Sequence, residues 1–504
     1  MTEPTKGISV LSSRRTIIET MRKEGINPYP ERFERTHTLR EAALLEEGTP
    51  NVSICGRLIS IRKMGKLAFG HLQDISGRMQ ISASVDSVGK EQFDLFKQRI
   101  DIGDFVGVTG DIFRTRTGEI TVAAKTYQLL GKSLRALPEK WHGVQDVEIC
   151  QRKRYLDLIM SEETRKRFLL RSRVVKEIRA FLEGHGFIEV DTPVLVNKHG
   201  GANARPFITH HNTLDIDVYL RIAPETYLKR LIVAGFDRVY EFARCFRNEG
   251  SSPAHIQDFT MLEFYAAYWN YRDNLNFTRA LLLNVLEKSL GTTEIKIDDE
   301  TIQFEKPWRE VSYRDLIREH SGIDIAENTT KESLLKACKE TGIILEDVDV
   351  DGAGWGTLVD SLYKKTCRPS LIQPTVLLGH PRDLSPLARA NDDNPSVVDR
   401  FQLVVCGSEI VNAYSELVDP IDQRARLEDQ AGQRAAGDEE AMPLDEDYLE
   451  AMEYGMPPIS GFGLGVDRFI ALLAGEENIR SVVLFPLMRP ESEETSDGGH
   501  VAAT

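Results

Sequence analysis

Phe246-Arg247-Asn248-Glu249 is followed by Phe259, Glu263 and Tyr265, all within or beside apolar runs that read as strands. An arginine on a rigid strand can hold a phosphate through a charge-assisted fork, and a nearby ring can stack on a nucleobase. Alone the tetrapeptide carries little weight, because Arg–Glu pairs are common on surfaces. Far downstream, Gly461-Phe462-Gly463-Leu464-Gly465-Val466-Asp467-Arg468 reads as a glycine-rich turn entering a helix. Backbone can approach a nucleotide there, and Arg468 can meet its phosphates. It is not a dinucleotide fingerprint, since Val466 stands where GxGxxG requires glycine. Glu263 is the one charge in the apolar run LEFYAAY, a context that favours a buried carboxylate with a task.

These residues need elements to hold them, and 504 residues exceed what one core ordinarily fills. With 41% hydrophobic and 28% charged residues the composition is that of a soluble globular protein. No apolar run approaches the ~20 residues that span a bilayer, which excludes a membrane protein. The N-terminus is polar, without a secretory pattern, so a cytoplasmic chain is expected. A net charge of -15 argues against indiscriminate coating of nucleic acid; any such contact must use local basic patches. The 6 cysteines are scattered with no CxxC pair, and read as free thiols.

Residues 1–50 form a helical extension: positions 9–24 have helical spacing beside Arg14, Arg15, Arg22 and Lys23, and Pro28 and Pro30 stop the pattern. Residues 51–135 hold five short β-rich runs broken by turn signals, with the helical stretch FDLFKQR after the third. That pattern predicts an OB-fold, the five-strand barrel that binds oligonucleotides. Within it Phe69 and Gln80 fall on adjacent strands, with Arg62 before them and Glu119 at the RTGEI turn. A stacking ring with amide and guanidinium partners can read an unstacked base. A linker, 136–160, leads to a domain over 161–490 that opens on an amphipathic helix. Strand-like runs follow at FIEV, YLRIA, RVYEFARCF, FTMLEFYAAY, RFQLVVCGSEIVNAYSEL and SVVLFPL, with helices between several of them. This predicts an α+β class with an antiparallel sheet. Residues 491–504 lack apolar content and are expected to be a disordered tail.

Together with Gly186-Phe187-Ile188-Glu189-Val190-Asp191-Thr192-Pro193, the two opening stretches resemble, in order and separation, the three motifs of class II aminoacyl-tRNA synthetases. Further similarity, through LRIAPETYLKRL, LIQPTVLLGHPRDLSPLAR, NAYSELVDP and VVLFPLMRP, is to the lysyl members and extends over about residues 50–490. The resemblance implies an N-terminal OB-fold for the anticodon and an antiparallel-sheet catalytic domain. It also implies a homodimer paired through the first motif, with L-lysine, ATP, Mg²⁺ and tRNA(Lys) as ligands. By the same resemblance Arg247, Glu249 and Arg468 are catalytic, and with His255, Phe259 and Glu409 they bind ATP. Arg247 would hold the α-phosphate, Arg468 the γ-phosphate and Phe259 the adenine, while Glu409 would ligate Mg²⁺. Gly201, Glu225, Glu263, Tyr265, Asn412, Tyr414 and Glu416 would surround lysine, with Glu263 and Glu416 at the ε-ammonium and Glu225 at the α-amino group. Arg62, Phe69, Gln80 and Glu119 match the family's anticodon contacts.

Two positions depart from the lysyl pattern. Ala254 stands where the family usually has arginine, and Gln402 where a second metal-binding glutamate is expected. A neutral glutamine can lend Mg²⁺ a carbonyl oxygen but not a charge. Lys63-Met64-Gly65-Lys66 resembles a class I KMSKS loop, but it falls in the barrel and no HIGH tetrapeptide precedes it. Two rivals stay open: a class II synthetase for aspartate or asparagine, and a catalytically weakened paralogue that only binds.

Overall fold

The computed structural model describes residues 4–138, 146–250, 252–345, 348, 350, 352–435 and 441–490, with side chains from residue 10 onward. The chain forms two compact units, Met1–Cys150 with Tyr155–Met160, and Gln151–Arg154 with Ser161–Thr504.

In the first unit five strands, β1 (Val52–Met64), β2 (Leu67–Gln73), β3 (Arg78–Ser84), β4 (Phe105–Arg114) and β5 (Ile120–Gly131), close a barrel in the order β1-β2-β3-β5-β4. Alternation along each strand sends Ile54, Leu58, Leu72, Ile81, Val108 and Val122 into its interior. Gly110 sits at a register shift, where an added Cβ would come within 1.8 Å of Ala123 O. Only glycine permits that closure. The expected helix after the third strand spans Lys90–Arg99 and buries Phe93 and Phe96. The N-terminal helix runs Pro4–Lys23. Its Arg14 is not a solvent-facing cation: Nη1 donates to Ser133 O at 2.8 Å and Nη2 to Ile102 O at 3.2 Å, which ties the helix to the barrel unit.

The second unit is built on an 8-stranded sheet. From one edge its strands are Arg309–Ser312, Thr375–Leu378, Arg400–Val405, Ser408–Ser415, Ile459–Gly465, Asp258–Ala267, Arg238–Phe246 and Ile188–Glu189. Only the two outermost pairs are parallel. The helices Glu162–Gly184 and Tyr271–Leu290 pack together, and their Ile178, Leu182, Leu281 and Val285 share one core with the sheet's Leu262, Phe264 and Phe462. The second of these helices is well specified locally. Asn270 caps it in a capping box with Asp273, and Gly291 ends it at φ 74.

The structure corrects two sequence expectations. SVVLFPL forms no strand; it enters on a 3₁₀ turn, Ile479–Val482, and lies outside the sheet. The glycines of GFGLGVDR are not a turn. They lie in the strand Ile459–Gly465, and the helix starts at Val466 without an intervening loop. The reason is lateral crowding: a Cβ on Gly461 would sit 2.1 Å from Glu416 Oε1 and 2.5 Å from the Tyr265 ring. Between the fourth and fifth of these strands the chain forms helices at Pro420–Ala435 and Glu446–Glu453. The tail at 491–504 lies outside the described residues.

Candidate functional site

The strand Asp258–Ala267 forms the floor of the site. Its period of two places Phe259, Met261, Glu263 and Tyr265 on one face. The neighbouring strand sets Gly465 opposite Met261, Gly463 opposite Glu263 and Gly461 opposite Tyr265. Missing side chains on one strand thus leave room beside those on the other, and a cavity of about 270 Å³ opens there. Gly201, Glu225, Arg247, Glu249, His255, Phe259, Glu263, Tyr265, Glu409, Asn412, Tyr414 and Arg468 all line it. Glu416 and Gln402 do not.

One end is acidic. Glu225, the first residue of the helix Glu225–Val233, accepts from Tyr414 Oη at 2.7 Å and from Lys229 Nζ at 2.6 Å. Gly201, at φ +83, passes so close that a Cβ would meet Glu225 Cβ at 3.0 Å. Tyr265 Oη donates to Glu263 Oε2 at 3.1 Å. Burial, reinforced by the neighbouring charge of Glu225, pushes the Glu263 carboxyl up to about 8. Glu416 is 1% exposed, and its carboxylate is paired with Lys229 rather than turned to the cavity. Glu416, expected near the ε-ammonium, thus stands behind the cavity lining, where Lys229 meets its carboxylate. Burial alone would discharge Lys229, but Glu225 and Glu416 outweigh it and hold the ammonium well above its usual value. Nothing in LKRL singled out Lys229; its (i, i+4) spacing from Glu225 was the available signal.

The other end is basic. Arg247 Nε is buried with no hydrogen-bond partner among the described residues, and the guanidinium stands over the Phe259 ring at 5.1 Å. Arg468 Nη1 donates to Glu409 O at 2.9 Å, and burial lowers its affinity for its proton. The adjoining Asp467 anchors the start of the helix that carries Arg468: its Oδ2 accepts from Thr260 N at 2.6 Å and its Oδ1 pairs with Arg171 at 2.5 Å. His255 Nδ1 lies 2.9 Å from Ser252 Oγ. Burial and then the charges of Arg468, Arg368, Lys364 and Arg247 push His255 below its usual value, so it is neutral near pH 7. Arg368 and Lys364 therefore add positive potential beside Ala254, which brings none. Glu409 Oε2 accepts from Gln402 Nε2 at 2.9 Å. Among the described residues no three His, Cys, Asp or Glu side chains converge as a metal site. A hard cation at Glu409 would complete its coordination from phosphate oxygens and water, a mode Mg²⁺ commonly uses.

A cleft with carboxylates at one end and arginines at the other can hold a cationic group and a polyphosphate in one line. Residues 146–489 match the family model for tRNA synthetases class II (D, K and N). The chain belongs to that family. Residues 52–130 match the OB-fold nucleic acid binding domain. The chain is 49% identical to a lysine–tRNA ligase of Pelotomaculum thermopropionicum over 95% of this chain and 94% of the relative. It is 48% identical to one of Carboxydothermus hydrogenoformans (94% and 96%) and 44% identical to one of Bacillus subtilis (95% and 97%).

On the barrel of this synthetase, Arg62 and Phe69 are register partners on β1 and β2. Phe69 is half-buried between the buried Ala68 and Gly70, so it stands on the outer face and outside the barrel core. Gln80 Nε2 donates to Glu119 Oε2 at 2.6 Å, and Thr121 Oγ1 donates to Gln80 Oε1 at 2.7 Å. His71, which sequence reasoning missed, bridges Ser60 Oγ and Glu119 Oε1 at 2.9 Å each. Its pairing opposite Gln80 was the signal that alternation on β2 offered.

Proposed function

We propose that this synthetase is a lysine–tRNA ligase that activates L-lysine with ATP and transfers it to the 3′ end of tRNA(Lys). The observation that carries the choice of lysine is the acidic end of the cleft. Of its three carboxylates, Glu225, Glu263 and Glu416, Lys229 cancels one. At most two negative charges then remain for a ligand, which suits the two ammonium groups of lysine. An aspartate or asparagine side chain would need a cation or amide donors where Glu263 and Tyr265 stand.

In this reading Glu225, held by Tyr414 and Lys229, takes the α-amino group, and Gly201 leaves room for it. Glu263 and Tyr265 take the ε-ammonium, Asn412 lines the passage, and Glu416 acts from behind through Lys229. The lysine carboxylate, already ionised, attacks the α-phosphorus; the bond to the bridging oxygen breaks and pyrophosphate leaves with its electrons. No general base is needed, and positioning with charge neutralisation does the catalysis. Arg247 neutralises the α-phosphate, Arg468 the far end of the triphosphate, and Phe259 stacks on adenine with Glu249 and His255 alongside. Glu409 would hold Mg²⁺, which supplies charge neutralisation on the phosphates. A ribose hydroxyl of the tRNA end then attacks the lysyl carbonyl, the bond from that carbon to the phosphate oxygen breaks, AMP leaves with its electrons, and the hydroxyl proton passes to the departing phosphate or to water.

The face of Arg62, Phe69, His71, Gln80 and Glu119 would stack and hydrogen-bond an anticodon base. The exposed apolar Ile188, Val194 and Leu195 around the first motif support a homodimer as part of this reading, and sedimentation at micromolar concentration should show it. Among the described residues no helix is long and apolar enough to cross a membrane, and the site of action proposed is the cytoplasm. ATP–pyrophosphate exchange across the twenty amino acids tests the reading. Lysine-dependent exchange supports it, aspartate-dependent exchange replaces it, and tRNA binding without any exchange would mark a paralogue that only binds.

A further inference from the structure

Gln402 is 7% exposed and its amide is bonded at both ends. Nε2 donates to Glu409 Oε2 at 2.9 Å, while Oε1 lies 3.1 Å from His380 Nε2. Which end of the amide meets Glu409 is decided by His380. That ring is 2% exposed, lies 4.7 Å from the Tyr313 ring, and has no partner for Nδ1 among the described residues. A buried N–H without an acceptor is rarer and costlier than a bare lone pair, so the ring proton belongs on Nε2. It then donates to Gln402 Oε1, and the amide has only its N–H groups left for Glu409. A donor N–H cannot ligate a cation.

We infer that Gln402 is a positioning residue for Glu409 and not a cation ligand, and that His380 holds it in that role. This rests on the reading of Glu409 as the carboxylate that meets the nucleotide's cation. The amide occupies Oε2 and restricts the Glu409 side chain, so Oε1 is left for the cation. The partial positive charge of the N–H groups also stands where a second cation would otherwise have to balance two facing carboxylates.

The test is a count of Mn²⁺ by electron paramagnetic resonance on the full-length protein with a non-hydrolysable ATP analogue. Gln402→Ala should bind as many Mn²⁺ ions as the wild type but about tenfold more weakly, the usual loss when a supporting hydrogen bond to a metal ligand is removed. Gln402→Glu should bind one more ion. If Gln402→Ala perturbs folding, Gln402→Met keeps the volume and carries the same expectation. A lower count in either neutral variant would make Gln402 a ligand, and unchanged affinity would remove its positioning role; both overturn the inference. Histidine-selective ¹⁵N spectra, with His380 assigned by its absence in His380→Phe, should show the proton on Nε2, and a proton on Nδ1 would overturn it too. Absence of bound Mn²⁺ from every variant would sink the assignment of Glu409 itself and the inference with it, while leaving lysine-dependent exchange as a separate question.

Discussion

The two ends of the catalytic cleft are prepared in opposite ways. At the acidic end the charges are paired before any ligand arrives: Lys229 lies between Glu225 and Glu416, and Tyr265 and Tyr414 donate to Glu263 and Glu225. At the basic end the arginines are hardly paired. Arg247 Nε has no partner among the described residues, and Arg468, which donates to the carbonyl oxygen of Glu409, has burial working against its charge and the Glu409 charge working for it. A paired pocket discriminates by geometry, because only a ligand that completes the hydrogen-bond set avoids leaving buried groups unsatisfied. Two buried cations so weakly countered instead carry unfavourable desolvation that an anionic triphosphate relieves. Specificity thus concentrates at one end and charge neutralisation at the other.

The largest expected effect breaks the paired end. Glu263→Gln neutralises the carboxylate at the ε-ammonium and should raise KM for lysine by about 2–5 kcal/mol in equivalent free energy, while KM for ATP hardly moves. An unchanged lysine KM would take Glu263 out of the pocket. Next, Arg247→Ala should slow lysine activation by about 10²–10³, the usual loss of one preorganised donor at developing charge. Pre-steady-state adenylate formation measures it, and a loss confined to lysine binding would contradict the division between the ends.

Phe69→Ala concerns the other unit and sharpens the contrast between recognition and chemistry. It should weaken aminoacylation by about 1–3 kcal/mol and leave pyrophosphate exchange nearly intact. Equal losses in both assays would return Phe69 to a structural role.

The pH dependence of lysine binding tests the acidic end without mutation. In the empty pocket the Glu263 carboxyl titrates at about 8, so below that pH it carries a proton. Binding an ammonium requires the carboxylate, so the proton must leave at a cost that grows as pH falls. KM for lysine should therefore rise below pH 8, by at most about tenfold per pH unit, and level off above it. The same profile should flatten in Glu263→Gln.

The smallest effect belongs to the basic end. Ala254→Arg adds a guanidinium where Arg368 and Lys364 already supply positive potential, so KM for ATP should fall by no more than a few-fold, with lysine KM unchanged. A large gain would show that those two cations do not compensate.

Most of this architecture is legible in the sequence. Alternation placed the strands Arg238–Phe246 and Asp258–Ala267 and put Glu263 and Tyr265 on one face, and the turn signals marked the barrel. What escaped was whatever depends on a neighbour distant in sequence. The glycines of GFGLGVDR look like a turn because nothing nearby in the chain shows that Tyr265 and Glu416 crowd them. SVVLFPL has a strand's composition and still finds no place in the sheet, which ends elsewhere.

By itself the sequence determined the two-unit plan, the α+β class and the residue types that can meet an amino acid and a nucleotide, because periodicity and motif order are properties of the chain alone. Only the tertiary structure decided which charges are already spent. Glu416 and Glu263 are the same residue type in similar apolar settings, yet one is neutralised by Lys229 from a helix and the other faces the cavity. Likewise Gln402 presents a donor to Glu409 because His380, from another strand's end, takes its oxygen. Charge pairing and amide orientation depend on distances of a few ångströms between segments far apart in the chain, and packing sets those distances.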